Sequence, residues 1–207
     1  MAQAWHGRFM VLAWGICAPC GILVARYLKV TPRQRWPEEL DNKFWWYSHL
    51  ICQNTAVLAM AVGFVIIFAN RGETAPSGLH ALFGWSILLG TVAQVLSGLL
   101  RGTKGGPGDP LPDGSLLGDH YAMTPRRLLF ERFHKWVGYA LFLGAICVLL
   151  QGLWMLNAPR WMVLALLLYW SGLVVVLKLL GPTPRVSTYQ AIWGLDPAHP
   201  GNRESQS

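Results

Sequence analysis

Six histidines occur among the 207 residues, and four of them fall within long apolar stretches: His6, His49, His80 and His134. An imidazole can offer a nitrogen lone pair to a transition metal or exchange a proton near neutral pH. Ionisable groups inside apolar spans are costly and usually functional. His120 and His199 lie instead in polar surroundings. Four cysteines, Cys17, Cys20, Cys52 and Cys147, also fall in apolar stretches. The Cys17-x-x-Cys20 spacing matches redox and zinc motifs, but its flanks are apolar, and free cysteine commonly packs as a small hydrophobe. No disulfide framework is implied.

The elements that carry these side chains follow from composition. Charged residues make up 13% of the chain, against roughly 25% in a soluble domain. Hydrophobic residues make up 53%, with 11 tryptophans. A soluble fold of this size has too little interior for that apolar surface. A bilayer core about 30 Å thick needs about 20 apolar residues per helix. Five stretches meet this: about Trp5 to Tyr27, Phe44 to Asn70, Thr74 to Leu100, Arg132 to Leu156 and Trp161 to Leu180. The alternation of a β-barrel is absent. The expected fold is an all-α integral membrane protein with five transmembrane helices, a four-helix core and a fifth C-terminal helix. It occupies residues 1–181, and a polar tail, poorly ordered near its end, follows over 182–207. The first stretch lacks a basic region before it and reads as a retained helix, kinked at Pro19. The short links Arg71–Glu73 and Asn157–Arg160 imply two antiparallel hairpins. The segment from Arg101 to Arg127 is rich in Gly, Pro and Asp and reads as irregular extramembrane chain.

Orientation comes from the cations. Of 17 Lys and Arg, the N-terminal side holds 3 (Arg8, Arg71 and Arg160) and the other side holds 14. The positive-inside rule then puts the N-terminus outside and the C-terminus in the cytoplasm. For a bacterial source the expected membrane is the plasma (inner) membrane. The net charge of +7 is a topology signal with affinity for anionic membrane lipid, and no nucleic-acid partner is needed to explain it.

Helix direction now pairs the histidines. Helices one and three run inward, so His6 and His80 lie near the outer face. Helices two and four run outward, so His49 and His134 lie near the inner face. Two imidazoles at one depth on facing helices can bind one haem iron from both axial sides. Zinc would want four clustered ligands. Gly84 and Gly138 stand four residues after His80 and His134, on the same helix faces, where they would clear room for a porphyrin plane. His6 and His49 have Met10 and Gln53 there. The candidate ligands are therefore His6 and His80 for an outer haem, and His49 and His134 for an inner one. Arg8, Lys43, Arg132 and Lys135 are candidate partners for haem propionates. Arg26, Lys29, Arg33 and Arg35 form a further inner basic group, read as contacting lipid headgroups. Tryptophans near helix ends form an interfacial belt.

These residues also carry a resemblance. His6-Gly7, Trp14, Pro19-Cys20-Gly21 and Ala25-Arg26-Tyr27-Leu28-Lys29 resemble the first core helix of the cytochrome b561 family. The branch concerned often carries an outer DOMON domain. Trp46-Tyr47-Ser48-His49 with Gln53 resembles the second core helix, and Leu79-His80 and His134 with Gly138-Tyr139 the third and fourth. The resemblance covers about residues 5–155. It implies two b haems, paired as above, and electron transfer across a membrane. Family members often move electrons from cytoplasmic ascorbate to ferric chelate or monodehydroascorbate. This chain is expected to lack the DOMON domain, to have a longer loop over 101–127, and to carry an unmatched segment, Gly118-Asp119-His120-Tyr121.

The expected function is a di-haem b-type cytochrome carrying electrons from a cytoplasmic or membrane donor to an outer acceptor, neither of which is named by the sequence. Such a chain would be a transmembrane oxidoreductase. One alternative is a haem-bearing subunit of a larger redox complex, exchanging electrons with quinone or a redox partner protein. Another is a cofactor-free membrane scaffold.

Overall fold

The computed structural model describes residues 1–70, 78–181 and 185–203. Its elements are helical throughout the described residues. Five helices are long and apolar enough to cross a membrane: α1 (Ala2–Tyr27), α2 (Phe44–Ala69), α3 (Leu79–Leu99), α4 (Pro125–Met155) and α5 (Arg160–Leu180). Two short helices follow, α6 (Thr188–Trp193) and α7 (Pro200–Arg203). Helix α1 packs along α2, α3 packs along α4, and α1 also touches α4 and α5. Most of the large apolar side chains point outward, as a bilayer-facing surface requires, while small residues such as Ala13, Ala18, Ala56 and Ala59 form the centre between α1 and α2.

Helix α1 is not uniform. Between Val11 and Cys17 it widens to π geometry. Pro19 has no N–H to return to the carbonyl four residues earlier, Gly15. The indole of Trp170 on α5 donates to that Gly15 carbonyl at 2.7 Å, and the Tyr169 hydroxyl donates to the Ile16 carbonyl at 3.3 Å. The fifth helix thereby satisfies backbone groups that have no water to turn to in a membrane.

Two boundaries differ from the sequence expectation. Helix α4 begins at Pro125, not near Arg132, because Thr124 caps it and Pro125 suits its first turn. Its first two turns carry Arg126, Arg127 and Glu131, so hydropathy alone starts the helix late. Helix α3 begins at Leu79, while the expected start at Thr74 and the link Arg71–Glu73 lie outside the described residues.

The end of the bundle that holds His49 and His134 carries a folded cap. The segment from 101 to 124 is irregular but held: His120 N–H donates to Thr103 O at 3.0 Å and Tyr121 N–H to Lys104 O at 3.0 Å. Gly106, at φ +76°, brings the backbone against the Trp193 and Tyr121 rings, where a side chain would collide. The tail is structured over 185–203. Ser187 and Gln190 form a reciprocal capping box for α6. The tail is tied to the segment before α2 by Trp36 Nε1–H to Gln190 O at 3.2 Å and Asp41 N–H to Ala191 O at 2.9 Å. Lys104 ion-pairs with Asp41. The Tyr189 hydroxyl donates to the Glu131 carboxylate on α4 at 2.5 Å.

Candidate functional site

The four intramembrane histidines form two pairs. The rings of His6 and His80 have centres 6.4 Å apart, and so do the rings of His49 and His134. The planes cross at 76° and 68°. Two imidazoles bound on opposite sides of one metal ion, each through a bond of about 2 Å, have ring centres about 6.3 Å apart. Both pairs thus have the spacing of a metal held between them, and hydrogen bonding between the two rings would bring them closer.

Each ring is held by its other nitrogen. His6 Nδ1–H donates to the Gly63 carbonyl at 3.0 Å, and His49 Nδ1–H donates to the Gly21 carbonyl at 3.1 Å. A carbonyl only accepts, so Nδ1 carries the proton and Nε2 keeps its lone pair. The His134 case is indirect. The single Ser97 hydroxyl proton goes to the Gln94 carbonyl at 2.8 Å, so its oxygen accepts from His134 Nδ1–H at 3.0 Å. His80 Nδ1 is buried and has no hydrogen-bond partner among the described residues. In metal sites an imidazole is typically oriented by such a bond on its non-ligating nitrogen.

The α1–α2 contacts repeat. His6 precedes Gly21 by 15 residues, and His49 precedes Gly63 by 14. Each histidine reaches the glycine carbonyl of the other, antiparallel helix. The π segment of α1 lies between His6 and Gly21, and a π turn absorbs one extra residue. At 1.5 Å per residue the two pairs stand about 21 Å apart along the bundle. A Cβ on Gly21 would meet Gln53 Nε2 at 2.7 Å and Cys52 Cβ at 2.9 Å, and one on Gly63 would meet Met10 Cε at 2.6 Å. These glycines allow the helices to approach closely enough for the histidines to bond.

Beside the His6–His80 pair lies an apolar cavity of about 230 Å³, lined among others by Gly7, Phe64, Phe68, Ala81, Gly84 and Trp85. A Cβ on Gly84 would meet nothing nearer than the Phe64 ring at 4.0 Å, so glycine here leaves space open. The residues present therefore fit a flat apolar group with a metal at its centre. Gly138, read as the inner counterpart, faces the Gln94 side chain at 3.6 Å.

The candidate propionate partners are dispersed. Arg8 stacks on Trp5 at 4.6 Å. Lys43 and Arg132 are exposed. Lys135 pairs with Glu131 at 3.0 Å. Of the further inner basic group, Arg26 donates to the Tyr139 hydroxyl at 3.1 Å and Arg35 pairs with Glu39 at 2.9 Å. Lys29 lies among Lys135, Arg26 and Arg185, and burial with that company pushes its amine down to about 8. Arg127, absent from the sequence candidates, is buried, stacks on Phe130 at 5.1 Å and pairs with Glu131 at 2.6 Å. Phe130 in turn lies 5.1 Å from the His134 ring. Arg127 was hidden because its stretch reads as loop. Ser97, Gln94, Gly21 and Gly63 were also missed, since small and uncharged residues in a span carry no signal until the helices are packed. In the cap, His120, Tyr121, Tyr189, Trp193 and His199 form one ring cluster with neighbouring centres 4.9 to 6.1 Å apart.

Residues 5–104 match the family described as eukaryotic cytochrome b561. That range includes His6, His49 and His80. A cytochrome b561, DM13 and DOMON domain-containing protein of Arabidopsis thaliana is 27% identical over 72% of the chain and 14% of its own length. A cytochrome b561 and DOMON domain-containing protein of the same plant is 22% identical over 90% of the chain and 40% of its own length. Human ferric-chelate reductase 1 is 27% identical over 72% of the chain and 22% of its own length. The chain thus spans less than half the length of these relatives. No solved structure matches it. The chain is thus similar to the cytochrome b561 family over residues 5–104, and its five apolar helices mark it as an integral membrane protein.

Proposed function

We propose that this chain is a di-haem cytochrome carrying electrons across the membrane, from an inner donor to an outer acceptor. The observation that carries the reading is the pair of matched histidine sites, each 6.4 Å between ring centres, at opposite ends of one bundle. His6 and His80 would hold one haem and His49 and His134 the other. A haem bound there would supply a centre that gains and loses one electron, and ligation by two histidines would suit it to electron transfer and not to binding substrate. The chain's own part is to orient and insulate. Gly21, Gly63 and Ser97 hold three imidazoles with Nε2 free. The apolar wall of Phe64, Phe68 and Trp85 excludes water at the outer site.

The excess of cations on the C-terminal side supports an outer N-terminus and a cytoplasmic cap. Donor and acceptor follow from the reaction class. The outer acceptor would be a one-electron oxidant such as a ferric chelate, the substrate in one relative's name. The inner donor would be a small reductant, a membrane quinol or a protein. The test is purification in detergent after haem-replete expression, with haem counted by pyridine haemochrome. Two b haems per chain are expected, and the purified chain in liposomes should reduce an external ferric chelate from an internal reductant. A colourless protein would overturn the reading, and one haem per chain would overturn its two-site form.

A further inference from the structure

The four imidazoles differ in what holds their second nitrogen. At the inner end both Nδ1–H groups have an acceptor, the Gly21 carbonyl for His49 and the Ser97 hydroxyl for His134. At the outer end His6 has the Gly63 carbonyl, while His80 Nδ1 has no partner among the described residues. The positions correspond. Ser97 follows His80 by 17 residues on α3, and Gln151 follows His134 by 17 on α4. Each therefore stands at the level of the other helix's histidine. The Gln151 amide approaches the His80 ring, but it is outside hydrogen-bond geometry with Nδ1. Gly152 supplies the close packing there, its added Cβ lying 3.0 Å from His80 Cε1.

We infer that Ser97 is a positioning residue for His134, and that its hydroxyl makes the inner iron site the more electron-donating of the two. The inference rests on the two-site reading above. An acceptor on Nδ1–H raises the basicity of the ligating nitrogen and favours the higher oxidation state of the metal. The inner site, with two such ligands, has the lower reduction potential. The outer site, with one, has the higher. That order of potentials would favour electron transfer from inside to outside. Ser97 acts through His134 and needs no contact with the haem.

The experiment is a spectroelectrochemical titration of the haem-loaded protein and three variants, with haem counted in each. In the parent, two potentials are expected. His80→Ala should lose the outer haem and retain the lower-potential component. Ser97→Ala should raise that component alone. The expected change is about tenfold in its reduced-to-oxidised ratio at fixed potential, or about 59 mV for a one-electron couple. Ser97→Thr keeps the hydroxyl and should restore the parent value. Loss of the inner haem from Ser97→Ala, with retention in Ser97→Thr, would equally mark the hydroxyl as what holds His134. Three results would overturn the inference while leaving two sites standing: an unmoved lower component, equal movement of both, or retention of the higher component in His80→Ala. Loss of the inner haem from both serine variants would make Ser97 a packing residue and also overturn it. A parent with fewer than two haems would instead remove the reading beneath it.

Discussion

The two ends of the bundle share one geometry and differ in almost everything around it. Each has a histidine pair at the same 6.4 Å spacing, and each has one histidine bonded to a glycine carbonyl of the neighbouring helix. The His49–His134 end is roofed by the 101–124 segment and the tail, and ion pairs stand around it: Arg127 and Lys135 with Glu131, and Lys104 with Asp41. The outer pair adjoins an apolar cavity, with Arg8 on Trp5 as its nearest cation in sequence. Conserving the spacing while varying the surroundings separates two tasks. Ring spacing decides what can be bound, and the surroundings decide how the bound group behaves and what can reach it.

The largest expected effect breaks one end and spares the other. His134→Ala should remove one haem of two, and His80→Ala the other, read as half the haemochrome absorbance in each. Loss of both from either single change would make the two ends one cooperative site. Helix approach comes next. Gly21→Ala sets a Cβ 2.9 Å from Cys52 Cβ, which cannot swing away, whereas Gly63→Ala meets the flexible end of Met10 at 2.6 Å and the fixed Phe9 Cβ only at 3.2 Å. Overpacking of this kind costs about 1–3 kcal/mol, so Gly21→Ala should lower thermal stability more than Gly63→Ala and loosen the inner haem first. Equal melting shifts would contradict that asymmetry.

Acid should act on the capped end. Burial in the cap, with Arg127 beside it, pushes the His120 imidazole down to about 3, against about 6.5 in an unfolded chain. The unfolded cap therefore binds a proton that the folded cap refuses. Cap stability is complete above about pH 6.5 and declines as the pH falls toward 3. Burial pushes His199 in the same direction, which steepens the loss. Hydrogen exchange over 101–124 and 185–203 should rise on acidification while the α1–α2 contacts around His6 and Gly63 stay protected. The smallest effect is Tyr189→Phe. It removes one donor from Glu131, which keeps Arg127 and Lys135, so the tail should detach more readily by about 1 kcal/mol. Limited proteolysis of the tail reads this, with haem content unchanged.

Much was already legible in the chain. The apolar lengths specify five spans, because a bilayer admits few alternatives to a helix of about 20 residues. The alternation of helix direction pairs His6 with His80 and His49 with His134, since depth in a membrane is a one-dimensional quantity that counting can supply. Pro19 marks in advance a helical N–H that α1 must do without. The tertiary structure decided what counting cannot reach. That Trp170 donates to the carbonyl Pro19 leaves open, that Gly21 and Gly63 present carbonyls to histidines, and that Ser97 supports His134 while Gln151 stops short of His80 Nδ1 all depend on rotation about helix axes. The same holds for the tail, whose polar composition conceals buried Tyr189, Ile192 and His199. Hydropathy reports transfer into lipid and fixes depth. A hydrogen bond of about 3 Å needs an azimuth and a close approach, and those come only from how the helices pack.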